Sequence, residues 1–154
     1  QALTTSAGLP AYEVSNHAVP GAESRHNMVY WRAGDWVGIG PGAHGRLGIA
    51  GARLATEAPK APGAWLRDVE ADVAGELPRV PLEPVEAFEE TIMMGLRLQE
   101  GVAIPERAPV NFKDFASRVK GLEDLGFLRR VEDRLIATEA GRPILNAVLR
   151  ELLA

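Results

Sequence analysis

The sequence predicts an α/β chain of the α+β kind, and three observations predict it. Its first part alternates short strand-like runs with glycine-rich turns. From about Pro84 onward it is nearly continuous helical pattern with one hairpin signal. Between the two lies "GELPRVPLEP", with Pro78, Pro81 and Pro84, a cluster that interrupts both periodicities. We therefore expect two domains, residues 1–76 and 77–154, with the boundary in Leu77 to Pro84.

Each element follows in order. Ala11 to Ser15 alternates Tyr12 and Val14 with Glu13, a short strand pattern. Val19-Pro20-Gly21 breaks it. Asp35 to Ile39 is apolar on both faces, as in a buried strand of a parallel sheet or barrel. The turn Gly40-Pro41-Gly42-Ala43-His44-Gly45 follows directly, and Gly48 to Gly63 is Gly/Ala-rich and weakly patterned, as in an irregular strand and then a loop. Pro62 to Val73 spaces Trp65, Leu66, Val69 and Val73 on one helical face. Val85 to Leu98 continues as a helix through Phe88 and Ile92, ending near Gly101. A helix from about Phe112 to Leu125 carries Phe115, Val119, Leu122 and Leu125, with Gly126 as its cap. Phe127–Val131 and Arg134–Ala137 read as two strands turned at Glu132-Asp133. A last helix, Glu139 to Leu153, buries Ile144, Leu145, Val148, Leu149 and Leu152. Helix, helix, two-stranded wing, helix is the layout of a winged-helix module.

Composition narrows function. The 154 residues are 46% hydrophobic and 25% charged, ordinary for a globular chain, with a net charge of −4. That balance gives no electrostatic footprint for nucleic acid, although Arg129, Arg130 and Arg134 form a local basic group. The helix Phe112–Leu125 sets Lys113, Arg118 and Lys120 against Asp114, Glu123 and Asp124, which argues against a DNA-recognition helix. No apolar run reaches the roughly 20 residues of a membrane span. With no cysteine the chain has no disulfide, thiolate ligand or thiol nucleophile, which fits a reducing cytoplasm.

Chemistry concentrates in "RHNMVYWRAGDWVGIGPGAHGRL", Arg25 to Leu47, which holds two of the three histidines and two of the three tryptophans. The glycines after Ile39 let the backbone turn sharply and approach a ligand, and a run of exposed N–H groups there would hold a carboxylate or phosphate. The spacing matches neither a P-loop nor a dinucleotide fingerprint, and a plain tight turn is the competing interpretation. In His26-Asn27-Met28-Val29-Tyr30-Trp31 an imidazole and an indole suit a planar ligand, with Met28 as a soft axial partner for a haem iron. A packed Trp beside a capping His is the alternative. His17, His26 and His44 match no zinc spacing. Met93 and Met94 suit packing, Glu86, Glu89 and Glu90 a solvated helix start, and no complete catalytic apparatus is visible.

The stretch Tyr12 to Leu47 closely resembles the oxygen-independent coproporphyrinogen III oxidase-like radical SAM family, and "ETIMMGLRLQEGV" through "AVLRELL" resembles that family's C-terminal domain. The hexapeptide His26 to Trp31 resembles the His-Asn-x-x-Tyr-Trp signature of the family's haem-chaperone branch. The resemblance implies the last strands of a partial TIM-type barrel followed by the winged-helix-like domain. Family members carry Cys-x-x-x-Cys-x-x-Cys for a [4Fe–4S] cluster, so a chain without cysteine is expected to be the C-terminal portion only. It further implies that Gly40, Pro41, Gly42, Ala43 and His44 approach S-adenosylmethionine. His26, Asn27, Tyr30 and Trp31 would bind haem or a porphyrinogen, with His26 as iron ligand and Trp31 as stacking partner. His44 stands where true oxidases tend to have an aliphatic residue. The implied function is haem delivery to acceptor haemoproteins, and its rival is oxidative decarboxylation of coproporphyrinogen III propionates to vinyls. DNA binding through the wing is a third class, resting on fold analogy alone.

Overall fold

The structure, a computed structural model, describes residues 1–71, 74–104 and 109–154, apart from the side chain of Asn111. In chain order its elements are α1 (Ala2–Ser6), α2 (Arg25–Trp31), β1 (His44–Ile49), β2 (Ala52–Glu57), α3 (Pro62–Glu70) and β3 (Val80–Pro81). These are followed by α4 (Pro84–Gly95), β4 (Val102–Ala103), α5 (Phe115–Asp124), β5 (Leu128–Val131), β6 (Arg134–Ala137) and α6 (Leu145–Leu152). Short 3-10 turns at Val110–Phe112 and Arg142–Ile144 precede α5 and α6.

Contacts divide the chain differently from a linear split after residue 76. One unit combines Gln1–Ala33 with Phe88–Ala154, and the other is Gly34–Ala87. The first 33 residues join the tail through specific pairings. Gln99 N–H donates to Tyr12 O at 3.0 Å, and Glu13 bridges Leu98.

The discontinuous unit contains most of the core. Ile92, Leu96, Leu98, Leu135 and Leu152 are fully buried, each worth about 1.5–3 kcal/mol against exposure. Phe88 meets Phe112 at 4.9 Å and, edge-on, Phe115 at 5.1 Å. α5 buries Phe115, Val119 and Leu122, and α6 buries Leu145, Val148, Leu149 and Leu152, the i, i+3, i+4, i+7 stripe of an amphipathic helix. Leu125 at 67% exposure and Ile144 at 41% fall off those stripes, contrary to expectation. The sheet of this unit runs β4-β6-β5, antiparallel throughout. Its hairpin turns tightly because Glu132 takes a left-handed φ of 53°, pairing Val131 with Arg134. The order α4, α5, β5, β6, α6 follows the expected succession, and β4 adds a strand that sequence pattern did not suggest.

The second unit is built on the β1–β2 hairpin, extended by β3. Ala50 and Gly51, with φ of 51° and 81°, turn it in the left-handed conformation that matches strand twist. The weakly patterned stretch, expected as an irregular strand and then a loop, thus holds most of the best-paired part of this unit, with six residue pairs from His44↔Glu57 to Ile49↔Ala52. α3 is shorter than the expected Pro62–Val73, and Val73 lies outside the described residues. Its expected apolar face is not covered: Leu66 and Val69 are exposed.

The two expected early strands are not strands. Ala11 and Glu13 make only isolated bridges, and Asp35 to Ile39 contributes a single bridge, Trp36↔Arg46. Val37 is 66% and Ile39 86% exposed, so apolar content here does not signal burial. Among the described residues both sheets are antiparallel, and the parallel strands of a barrel end are not formed.

Candidate functional site

α2 carries the hexapeptide, and its start is set by Ser24. The Ser24 Oγ accepts the Asn27 N–H at 3.3 Å, capping a helix whose aromatic and β-branched residues are indifferent helix formers. The helix ends where Ala33 adopts φ 51° ahead of Gly34. At 3.6 residues per turn His26 aligns with Tyr30, and Asn27 with Trp31. The His26 and Tyr30 rings meet edge-on at 4.7 Å, and Tyr30 Oη lies 3.3 Å from His26 Nε2. His26 is exposed, and its Nδ1 has no hydrogen bond among the described residues.

On the other line, Asn27 Nδ2 donates to Tyr12 Oη at 3.3 Å, and the Trp31 ring lies 5.4 Å from the Arg97 guanidinium carbon. Five residues separate His26 from Trp31, about 140° around the helix. The structure therefore does not combine them as axial ligand and stacking face of one planar molecule. Met28 is about 200° from His26, so these two do not converge on one iron either. His17 is held separately, its Nδ1 3.0 Å from Thr4 Oγ1. Among the described residues no group of three metal-ligating side chains forms.

Beyond α2 the chain forms a cation–carboxylate triad that sequence inspection missed. Arg32 Nε and Nη2 donate to the two Glu100 oxygens at 2.9 and 3.0 Å, a fork-on-fork pair. From β6, Arg134 Nε donates to Glu100 O and its Nη2 to Gly101 O, both at 2.7 Å, with Glu100 Oε1 at 3.4 Å. The hydrogen bond from Arg32 holds the Glu100 carboxyl below its ordinary range, and the Glu100 carboxylate raises Arg32 in turn. The triad edges a cleft of about 500 Å³, lined also by Trp31, Thr91, Leu98 and Val102. Its members are 68 and 34 residues apart in sequence, so no motif betrays them.

The glycine turn belongs to the other unit. Gly40 and Gly42 have φ of 111° and 69°. At Gly38 a Cβ would sit 2.4 Å from His44 O, and at Gly45 2.6 Å from Trp36 O, so these two glycines are required by close packing. The guanidinium groups of Arg46 and Arg53 lie over the Trp36 ring, 5.8 and 5.7 Å from its centre. The turn is not an open run of N–H donors: Gly42 N–H donates to Pro59 O at 2.9 Å and Ala43 N–H to Gly40 O at 3.1 Å. Gly40 nonetheless faces open space, Pro41 is exposed, and His44 is exposed at the start of β1.

Comparison with known proteins decides the lineage. Residues 82–144 match the HemN C-terminal domain family. Over its full length the chain is 34% identical to a bovine radical S-adenosyl methionine domain-containing protein 1, mitochondrial, covering 37% of it. Heme chaperone HemW of Mycobacterium tuberculosis is 31% identical over 99% of the chain and 37% of the relative. For HemW of Escherichia coli the figures are 33%, 99% and 40%. The chain belongs to the HemN-like radical SAM family. It corresponds to the C-terminal portion of these relatives and spans well under half their length. Coproporphyrinogen III oxidase HemN from Escherichia coli, described as a radical SAM enzyme, superposes with a TM-score of 0.64 at 14% identity, covering 98% of the chain and 38% of HemN. That likeness establishes a shared mixed α/β fold of small antiparallel sheets within the family. Among the described residues, no helix is long and apolar enough to cross a membrane.

Proposed function

We propose that this chain is the C-terminal part of a haem chaperone that binds haem through the exposed face of α2 and passes it to acceptor haemoproteins in the cytoplasm. The observation that carries this is His26: an exposed imidazole on a helix anchored at both ends, in a chain whose relatives include heme chaperones. Haem fits this donor. His26 Nε2 is engaged by Tyr30 Oη, which leaves Nδ1 as the atom for iron, and the partner hydrogen bond would orient the ring as outer contacts of metal-bound histidines do. Asn27 and Trp31 act on the opposite line, fixing the helix rather than touching the ring face.

In the same proposal residues 1–76 supply the C-terminal end of the radical SAM barrel of the longer protein and a linking helix, and residues 77–154 its winged-helix-like domain. S-adenosylmethionine would approach the open side of Gly40 and the exposed His44, with Pro41, Gly42 and Ala43 shaping the turn. A [4Fe–4S] cluster, which with S-adenosylmethionine supplies radical chemistry when bound, does not fit this chain, because it has no cysteine.

The test is a haem titration of the chain and of His26→Ala, each paired with a melting curve. We expect the variant to melt normally, bind haem about tenfold more weakly and shift the Soret band, since the iron loses its imidazole. An unchanged Soret band and affinity would make the hexapeptide structural. Conversion of coproporphyrinogen III by the intact parent, with no haem binding, would select the oxidase instead.

A further inference from the structure

We propose that the cleft beside the Arg32–Glu100–Arg134 triad is a carboxylate-binding subsite for a ligand with an apolar body. The argument begins with charge. Two guanidinium groups beside the cleft share the Glu100 carboxylate, and Glu23 acts on Arg32 as a second acidic neighbour. It continues with donors. Arg32 uses Nε and Nη2, and Arg134 uses Nε and Nη2, while the Nη1 group of each donates to no acceptor among the described residues. Each guanidinium has five N–H groups in a fixed fork, so both retain donors for a second anion.

The position of those donors is also fixed. Arg134 is held by the carbonyls of Glu100 and Gly101, and Gly101, at φ 69°, is locked against Leu135, whose O would lie 2.2 Å from a Cβ. Donors that are fixed before binding cost little entropy to engage. The same cleft is lined by Leu98, Val102 and Trp31, and about 500 Å³ is within the range of small-molecule sites. Guanidinium donors beside apolar lining suit an amphiphilic carboxylate.

Two sources supply that chemistry: the propionate arm of a tetrapyrrole, or a free aromatic or aliphatic acid. The first source rests on the haem proposal, and the second does not. Affinities of the chain are therefore measured for haem, haem dimethyl ester, naphthoate and uncharged naphthalenemethanol. The proteins are the natural chain, Arg32→Gln, Arg134→Gln and Glu100→Gln.

We expect at least one acid, haem or naphthoate, to bind about tenfold tighter than its uncharged counterpart, and either arginine variant to abolish that preference while leaving the counterpart unaffected. Glu100→Gln should move the other way and tighten the acid about threefold, because it removes a competing carboxylate and keeps both guanidinium groups. A triad that served packing alone would weaken binding in all three variants, and a weaker acid in Glu100→Gln overturns the proposal. So does an acid preference that survives in both arginine variants, or none in the natural chain. If haem fails to bind but naphthoate behaves as stated, the haem proposal falls and the subsite stands. If haem binds through His26 with no acid preference anywhere, the subsite falls and the haem proposal stands.

Discussion

Replacing Gly101 by Ala tests the geometry that fixes Glu100 and Arg134. Gly101 has φ 69°, and a left-handed backbone costs an alanine about 1–2 kcal/mol. The new Cβ would also sit 2.2 Å from Leu135 O, 2.7 Å from Ile136 Cγ1 and 2.9 Å from Leu135 C. Two of those atoms are backbone of β6, so relief requires the strands to part where Val102 pairs with Leu135. Each backbone hydrogen bond strained there forfeits about 1 kcal/mol, and shifting a fully buried Leu135 adds a packing loss. The sum is roughly 3–5 kcal/mol, a large part of the about 5–15 kcal/mol that holds a domain together. Gly121 provides the opposite case: it lies within α5, and an added Cβ meets nothing within 4 Å. Gly121→Ala should stabilise by about 0.5–1 kcal/mol through helix propensity. Urea denaturation of both variants reads the difference in midpoint at constant m. A loss below about 1 kcal/mol for Gly101→Ala, or a loss for Gly121→Ala, would refute this account of the backbone.

Thr138→Ala should destabilise by about 1–3 kcal/mol, because Thr138 Oγ1 donates to Gly126 O at 2.6 Å and accepts the Gly141 N–H at 3.1 Å. Thermal melts of Thr138→Ala and Thr138→Ser check it, with the serine, which keeps the hydroxyl, restoring most of the loss. Glu100, held low by Arg32, contributes stability that is fully present above the ordinary carboxylate range and disappears as pH falls through its folded value. The pair is part-exposed, so the stake is about 0.5–1 kcal/mol. Stability curves of the natural chain and Glu100→Gln should differ at neutral pH and converge in acid, whereas a constant gap would contradict the assignment.

How much of this was legible depended on the range of the interactions. The hairpin at Glu132-Asp133 and the stripe of α6 are local patterns, and both lie in the structure close to where the sequence puts them. β1 and β2 were legible only as one irregular strand because "RLGIAGARLA" does not alternate; their pairing rests on the Ala50-Gly51 turn and on backbone bonds. Val37 and Ile39 misled in the opposite sense, since a run of apolar residues carries no statement about what covers it. In the candidate site, the residue types of the hexapeptide were visible, but not the helix that separates His26 from Trp31. The triad was invisible for a different reason: its members come together only through the fold.

The discontinuous unit has a consequence for synthesis. Arg32 must wait for Glu100, 68 residues later, and at about 5–20 residues per second that delay is roughly 3–14 s. Helix–coil exchange takes about a microsecond, so α2 forms and melts millions of times before its anchor leaves the ribosome. Throughout that interval Trp31 and Tyr12 lack the partners that later hold them. Residues 34–87 can complete the β1–β2 hairpin, whose partners lie at most 13 residues apart, meanwhile. The nascent chain therefore matures from its middle outward, and α2 is among the last parts to become permanent.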